Sequence, residues 1–293
     1  MKNCWFCFSF FLITCWSFVF SNENLLTHKI TYNLSNEQID VVIPCADTDL
    51  QALELCIKGV KENIDVRRII IVSPRPLTDN AEWFDEKKYP FSKFDIALQM
   101  LGDETAAKQF LHAPYSRIGW IYQQFLKLYA QKVIPNISAN VLIIDADTIF
   151  LNPVTFVGHQ GEGLYNVGDY GAHPPYFVHM QKLIPGLSKV FSAYSGICHH
   201  MLFQKPGLDD LFDMIENYHH MDAWKAMARF INPYEGSGIS EYEMYFNFIF
   251  TRTDQMKIRP LKWEDTGDIK KLPQYKELGY HYVSWHHYLR KNI

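Results

Sequence analysis

Short β-branched runs punctuate the body of the chain at positions that predict buried strands. Ile39-Asp40-Val41-Val42-Ile43-Pro44 is stopped by its own proline, Arg68-Ile69-Ile70-Ile71-Val72-Ser73 halts at Pro74, and Val141-Leu142-Ile143-Ile144 runs out into Asp145. Apolar side chains on consecutive positions, rather than alternate ones, belong to strands covered on both faces, as in parallel sheets. Between the first two runs, Leu53, Leu55, Cys56, Ile57 and Val60 fall at helical spacing behind Asp47, Thr48 or Asp49 as candidate caps. Strand, helix, strand in that order predicts a βαβ unit.

Ile118, Ile121, Phe125, Leu128 and Tyr129 then predict a helix over Tyr115 to Val133, ended before Pro135. The stretch from Pro74 to Pro114 predicts a connection with short helices, and the Gly-, Pro-, Tyr- and His-rich stretch from Pro153 to Pro185 predicts loops. Two further helices are expected, over Gly207 to Tyr218 and from Ser240 through Met244, Phe248 and Phe250. The fold class expected is α/β: a single Rossmann-type domain with a mostly parallel central sheet flanked by helices.

The N-terminus reads differently. Lys2 precedes an uncharged apolar run from Cys4 to Phe20, and Val19-Phe20-Ser21 offers modest side chains where a signal peptidase would read. Residues 1–21 are therefore expected to be a signal peptide or signal anchor, residues 22–38 a linker, and 39–293 the folded body, with 39–155 its donor-binding half and 156–293 its acceptor-side half. Export into a secretory lumen, membrane-anchored or secreted, follows, with membrane attachment only through residues 4–20. Three of the six cysteines, Cys4, Cys7 and Cys15, lie in this segment, so Cys45, Cys56 and Cys198 permit one bridge at most. Acidic residues exceed Lys plus Arg by four, 32 against 28, with no long basic run, which argues against nucleic acid as a partner.

Chemistry concentrates where the third strand ends. Asp145-Ala146-Asp147 places two carboxylates just past a strand's carboxyl end, where open α/β sheets bind ligands. Hard divalent cations take such oxygens and share them with substrate phosphates. On the preceding helix Arg117, Trp120, Gln124 and Lys127 fall on one quarter of the circumference, opposite the apolar stripe. Ser240-Glu241-Tyr242-Glu243 fits a capping box, and residues two apart on a helix point almost oppositely, so one of Glu241 and Glu243 is expected inward.

Asp145-Ala146-Asp147 resembles the DXD motif of glycosyltransferases with the A-type nucleotide-diphospho-sugar fold. Asp40 to Pro44, Gly119 to Leu128, Ser195 to Phe203 and Ser240 to Glu243 resemble segments of a little-characterised group of glycosyltransferase-like proteins, over roughly residues 39 to 290. The resemblance implies transfer of a sugar from a nucleotide-diphosphate-sugar donor to a carbohydrate or other hydroxyl-bearing acceptor, with Mn²⁺ or Mg²⁺. It implies metal ligation by Asp145, Asp147 and a late histidine, His286 or His287. Donor contacts would come from Pro44, Asp47, Arg117, Gln124, Lys127, Asp145 and Ala146. A catalytic base would be Glu241 or Glu243, and acceptor contacts would come from Ser195, Gly196, His199, His200 and Trp285. The alternative is a non-catalytic carbohydrate-binding protein retaining the fold. A nucleotidyltransferase would want a glycine-rich loop where Pro44-Cys45-Ala46-Asp47 stands, and a metallophosphoesterase a richer set of His and Asp ligands.

Overall fold

The computed structural model describes residue 26 and residues 28–169 and 173–290; the expected export segment and part of the expected linker lie outside them. The chain opens with β1 (Ile39–Pro44), α1 (Leu50–Asn63), β2 (Val66–Ser73) and β3 (Glu82–Asp85). Then come α2 (Lys93–Leu101), α3 (Glu104–His112), α4 (Ile118–Val133), β4 (Asn140–Ile144) and β5 (Thr148–Phe150). The second half contains β6 (Leu164–Tyr165), α5 (Pro174–Leu183), β7 (His200–Gln204), α6 (Lys205–His219), α7 (Ala223–Arg229) and α8 (Glu241–Arg252). It closes with β8 (Lys257–Ile258), β9 (Trp263–Asp265), α9 (Leu272–Glu277) and β10 (Tyr282–Ser284).

The fold is α/β. A five-stranded sheet in the order β3-β2-β1-β4-β7 is parallel except for β7, which runs antiparallel to β4. Helices flank it, and every residue of β1 and β4 is buried, which is why those strands read as continuous apolar runs. Asp40 interrupts the first run, and Arg67 compensates the buried charge by reaching both its carboxylate oxygens, at 2.8 and 2.5 Å. One continuous core extends from Tyr32 to Tyr282, so both halves of the body share it.

Several expectations are corrected. The first helix has no side-chain cap: a short turn over Asp47–Asp49 precedes it, and the Asp49 carboxylate accepts instead from Arg290 at 2.9 Å. The stretch read as a connection carries an additional strand, β3, and two capped helices, α2 and α3. The stretch read as loops contains α5, with Pro174 and Pro175 in its first turn. Cys45, Cys56 and Cys198 are all free and buried, within the expected limit of one bridge at most.

A second sheet was not expected at all. It orders β5-β10-β9, with β10 antiparallel to β5 and parallel to β9. It lies close against α1, where Gly59 makes room: a Cβ there would meet the Phe150 carbonyl oxygen at 2.7 Å and its nitrogen at 2.8 Å. A smaller core of Ala52, Ile149, Leu151, Val283 and Trp285 fills this seam.

Candidate metal and donor site

Strand pairing brings four distant segments to one place. Ile144 pairs with His200 across β4 and β7, so the Asp145 N–H donates to the His199 carbonyl at 2.9 Å as the two strands end. Thr148 pairs with Ser284 across β5 and β10, and the Trp285 N–H donates to the Asp147 carbonyl at 2.8 Å, which sets His286 beside Asp147. Asp265 pairs with Ser284 across β9 and β10 and completes the group. His199 holds a left-handed backbone, φ 62°, a conformation costly for a residue with a Cβ and often found at functional sites.

The side chains converge. His286 Nδ1 lies 2.8 Å from Asp147 Oδ2, and its Nε2 lies 3.4 Å from Asp265 Oδ1. His199 Nδ1 lies 3.7 Å from Asp145 Oδ2, and its Nε2 lies 3.5 Å from the same Asp265 oxygen. The contacts to Asp265 are charge pairs without hydrogen-bond alignment, and Asp147 Oδ1, His199 Nε2 and Asp265 Oδ1 are buried with no hydrogen-bond partner. Burial pulls the His286 imidazole down, but Asp147 and Asp265 outweigh it and lift it to about 10. Burial likewise opposes ionisation of Asp265, and the two histidines overcome it, holding that carboxyl well below its usual range.

Beneath this group sits a buried ion network. Lys127, 3% exposed, reaches from α4 to Asp145 Oδ1 at 2.6 Å and Glu241 Oε1 at 2.7 Å, and stands over the Tyr242 ring at 4.3 Å. The Tyr242 hydroxyl donates to Asp145 Oδ1 at 3.3 Å. Desolvation disfavours the Lys127 charge, yet its two carboxylates more than compensate and hold it protonated. Burial raises Glu241, partly offset by Lys127; it also opposes the Asp145 charge, where Lys127 and His199 prevail and keep that carboxyl ionised.

A cleft of about 610 Å³ opens beyond the carboxyl ends of β1 and β4. Pro44, Asp47, Arg117, Asp145, Ala146 and Asp147 line it, as do His286 and His287. The Arg117 guanidinium stacks over Trp120 at 4.5 Å and donates to Ser237 Oγ at 2.7 Å and to the Gly236 carbonyl. Arg290 fastens the segment carrying His286 and His287 to the loop after β1, donating to the Thr48 carbonyl at 2.6 Å.

Other expected site residues are placed elsewhere. Gln124 is 3% exposed and Lys127 is committed to the buried network, so the helix face read as donor-facing is split: Arg117 and Trp120 line the cleft, together with Gln123 and Leu126, while Gln124 and Lys127 lie beneath. Glu241 and Glu243 are both buried, at 1% and 3%, because α8 is enclosed on all sides. Only half the expected capping box forms: Ser240 Oγ accepts from the Glu243 N–H, while the Glu243 carboxylate accepts from Ser195 Oγ at 2.5 Å and Asn247 at 2.8 Å. Neither carboxylate faces the cleft as a base. Ser195 and Gly196 are buried against α8, and Trp285 is 2% exposed in the seam beside α1. His200 stacks on Phe150 with centroids 5.7 Å apart, and burial pushes it down to about 3, a neutral core residue rather than an acceptor contact. His199, expected among acceptor contacts, belongs instead to the polar cluster. Sequence reasoning missed Asp265 and Tyr242; nothing in Trp263-Glu264-Asp265 marks the second acid over the first.

The cluster fits a divalent cation. His199, Asp265 and His286 each offer a ligand atom within 4.8 Å of the others, and unpartnered buried lone pairs of this kind are what an ion satisfies. A scan of protein-family models finds no match to the chain, and a search of curated proteins finds none either. Among solved structures, the chain is similar to the apo form of mouse xyloside xylosyltransferase 1, at 10% identity and a TM-score of 0.41, over 87% of this chain and 99% of that one. It is also similar to an active-site mutant of LgtC, at 14% identity and a TM-score of 0.40, over 84% of this chain and 86% of that one.

Proposed function

We propose that the protein is a metal-dependent glycosyltransferase whose cleft binds a nucleotide-diphosphate-sugar donor and a hydroxyl-bearing acceptor. One observation carries the reading: a cleft beyond the carboxyl ends of β1 and β4 is floored by Asp147 and His286, in contact with buried, unpartnered lone pairs on Asp265 and His199. The resemblance of Asp145-Ala146-Asp147 to a DXD motif supplies the glycosyl part of the assignment. A divalent cation held by this cluster, Mn²⁺ or Mg²⁺, would supply positive charge against the diphosphate as it leaves. Arg117 and Lys93 line the same cleft and offer further cationic donors to the donor's phosphates. Lys127 fixes Asp145 from below, and Arg290 holds the strap bearing His286 in register. With residues 1–21 read as an export segment, the activity belongs in a secretory lumen, where activated sugars are available.

The test is thermal shift across a panel of nucleoside diphosphates with and without Mn²⁺. One diphosphate is expected to stabilise the wild type only with metal, and His286→Ala is expected to lose that shift. Equal stabilisation without metal, or in His286→Ala, refutes the reading. The burial of Glu241 and Glu243 favours a second reading, a binding protein without turnover. Absence of nucleotide diphosphate release from donors that bind would select it.

A further inference from the structure

Two aromatic rings stand in solvent beside the cleft. Tyr115, just before α4, is 64% exposed, and Tyr234, in the loop between α7 and α8, is 78% exposed. With Pro233, Glu235 and Gly236 they line one cavity of about 330 Å³. Single exposed aromatics are ordinary, but two bordering one concavity make a recognition surface. Neither is loosely set. The Tyr115 ring lies 6.2 Å from that of buried Phe110. The loop is rooted by buried Ile231 and Ile239, and the N–H groups of Tyr234 and Glu235 donate back to Asn232, at 3.1 and 3.2 Å. Arg117 ties this cavity to the cleft: it lines the cleft and donates to the carbonyl of Gly236, which lines the cavity, and to Ser237 Oγ at 2.7 Å. From another side His173 Nε2 meets the Ser237 carbonyl at 2.9 Å.

We propose that Tyr115, Tyr234 and Glu235 form an acceptor subsite for a neutral oligosaccharide, which lies on the two rings while its reacting end reaches past Arg117 into the cleft. An aromatic face in water takes the apolar C–H face of a sugar ring, and the exposed Glu235 carboxylate accepts from its hydroxyls. The charge excludes other occupants: Glu235 is the charged residue of the lining and no Lys or Arg joins it, so an acidic peptide or a phosphate-bearing headgroup finds no counter-charge. The acceptor thereby narrows from any hydroxyl-bearing molecule to a saccharide chain, gripped by a unit that does not react. A single sugar fills the cavity or the cleft but not both, so affinity grows with chain length. The inference rests on the proposed transfer for the role of acceptor, and not for the binding of a saccharide at these rings.

The experiment is saturation-transfer nuclear magnetic resonance on the full chain with neutral mono-, di- and tetrasaccharides of glucose, galactose, mannose, xylose and N-acetylglucosamine. At least one tetrasaccharide is expected to bind, more tightly than its monosaccharide. Tyr115→Ala and Tyr234→Ala are each expected to weaken it about 3- to 10-fold, while Tyr234→Phe, which keeps the ring, retains it. Both side chains are exposed, so truncation is expected to leave the fold intact, and near-ultraviolet circular dichroism verifies this. No binding by any member of the panel overturns the assignment. So does a tetrasaccharide held equally by the folded variant lacking both rings, or no more tightly than its monosaccharide. The Mn²⁺-dependent diphosphate shift of the wild type separates this inference from the proposed function. That shift without saccharide binding overturns the subsite alone; saccharide binding that needs the two rings, without that shift, sustains a saccharide site and removes the transfer reading.

Discussion

Replacing Lys127 by methionine removes one positive charge that serves the buried Glu241 and the partly buried Asp145. Lys127 is 3% exposed and the Glu241 side chain 2%, so solvent reaches neither without rearrangement. Breaking a buried pair from one side typically costs about 3–5 kcal/mol, because the remaining charge stays desolvated. Glu241 limits that cost by taking up a proton, and its carboxyl is already raised by burial. From the ordinary glutamate value of 4.5 to pH 7, at about 1.4 kcal/mol per unit, protonation costs about 3.4 kcal/mol. At pH 5 the same step costs under about 1 kcal/mol.

The sign follows from linkage: in the variant the folded-state value lies above the unfolded one, so the stability deficit grows as pH rises from 5 to 7. Urea unfolding of wild type and Lys127→Met at pH 5, 6 and 7 measures it directly. A loss near 3 kcal/mol at pH 7 that falls to about 1 at pH 5 is the expected result. A small or pH-independent difference would refute the reasoning, since it would mean that water or another cation already serves Glu241.

Two further outcomes follow from buried groups. Burial pushes His179 down to about 4 against an ordinary 6.5, and its ring meets the Met227 carbonyl at 2.9 Å. A depressed histidine contributes stability above 6.5 that drains away as pH falls to about 4, so non-titrating His179→Gln is expected to lose about 3 kcal/mol less than wild type over that window in acid-dependent urea midpoints; parallel curves would count against it. In Gly59→Ala the new methyl meets Phe150 backbone at 2.7 and 2.8 Å, so α1 and β5 must part, for about 1–3 kcal/mol of stability and a weaker Mn²⁺ affinity through displaced Asp147. An equally stable variant with unchanged affinity would show that the seam yields freely.

The central sheet was legible because strands covered on both faces leave continuous apolar runs, and β1, β2 and β4 are of that kind. Their order placed Asp145 and Asp147 at a ligand-facing edge. The antiparallel β7 was not read as a strand, since His200 and Gln204 bound an apolar segment of only three residues. β9 and β10 are three residues each, too short for any period to register, and Asp265 and the placement of His286 were hidden with them. Glu241 and Glu243 were misassigned for a physical reason. Helical spacing separates an inward from an outward face only when one face meets solvent, and α8 is enclosed all round.

The polar cluster draws on residues 145, 147, 199, 265 and 286: pairing of β4 with β7 joins 145 to 199, and docking of β10 between β5 and β9 adds 147, 265 and 286. An ion held through His286 would be available to no fragment that stops short of that residue. An ion that bound only the finished molecule would leave the rate of refolding untouched and slow unfolding instead. A metal bound there would act as a latch on the completed chain, and chelation would then shorten its lifetime without changing how it is made.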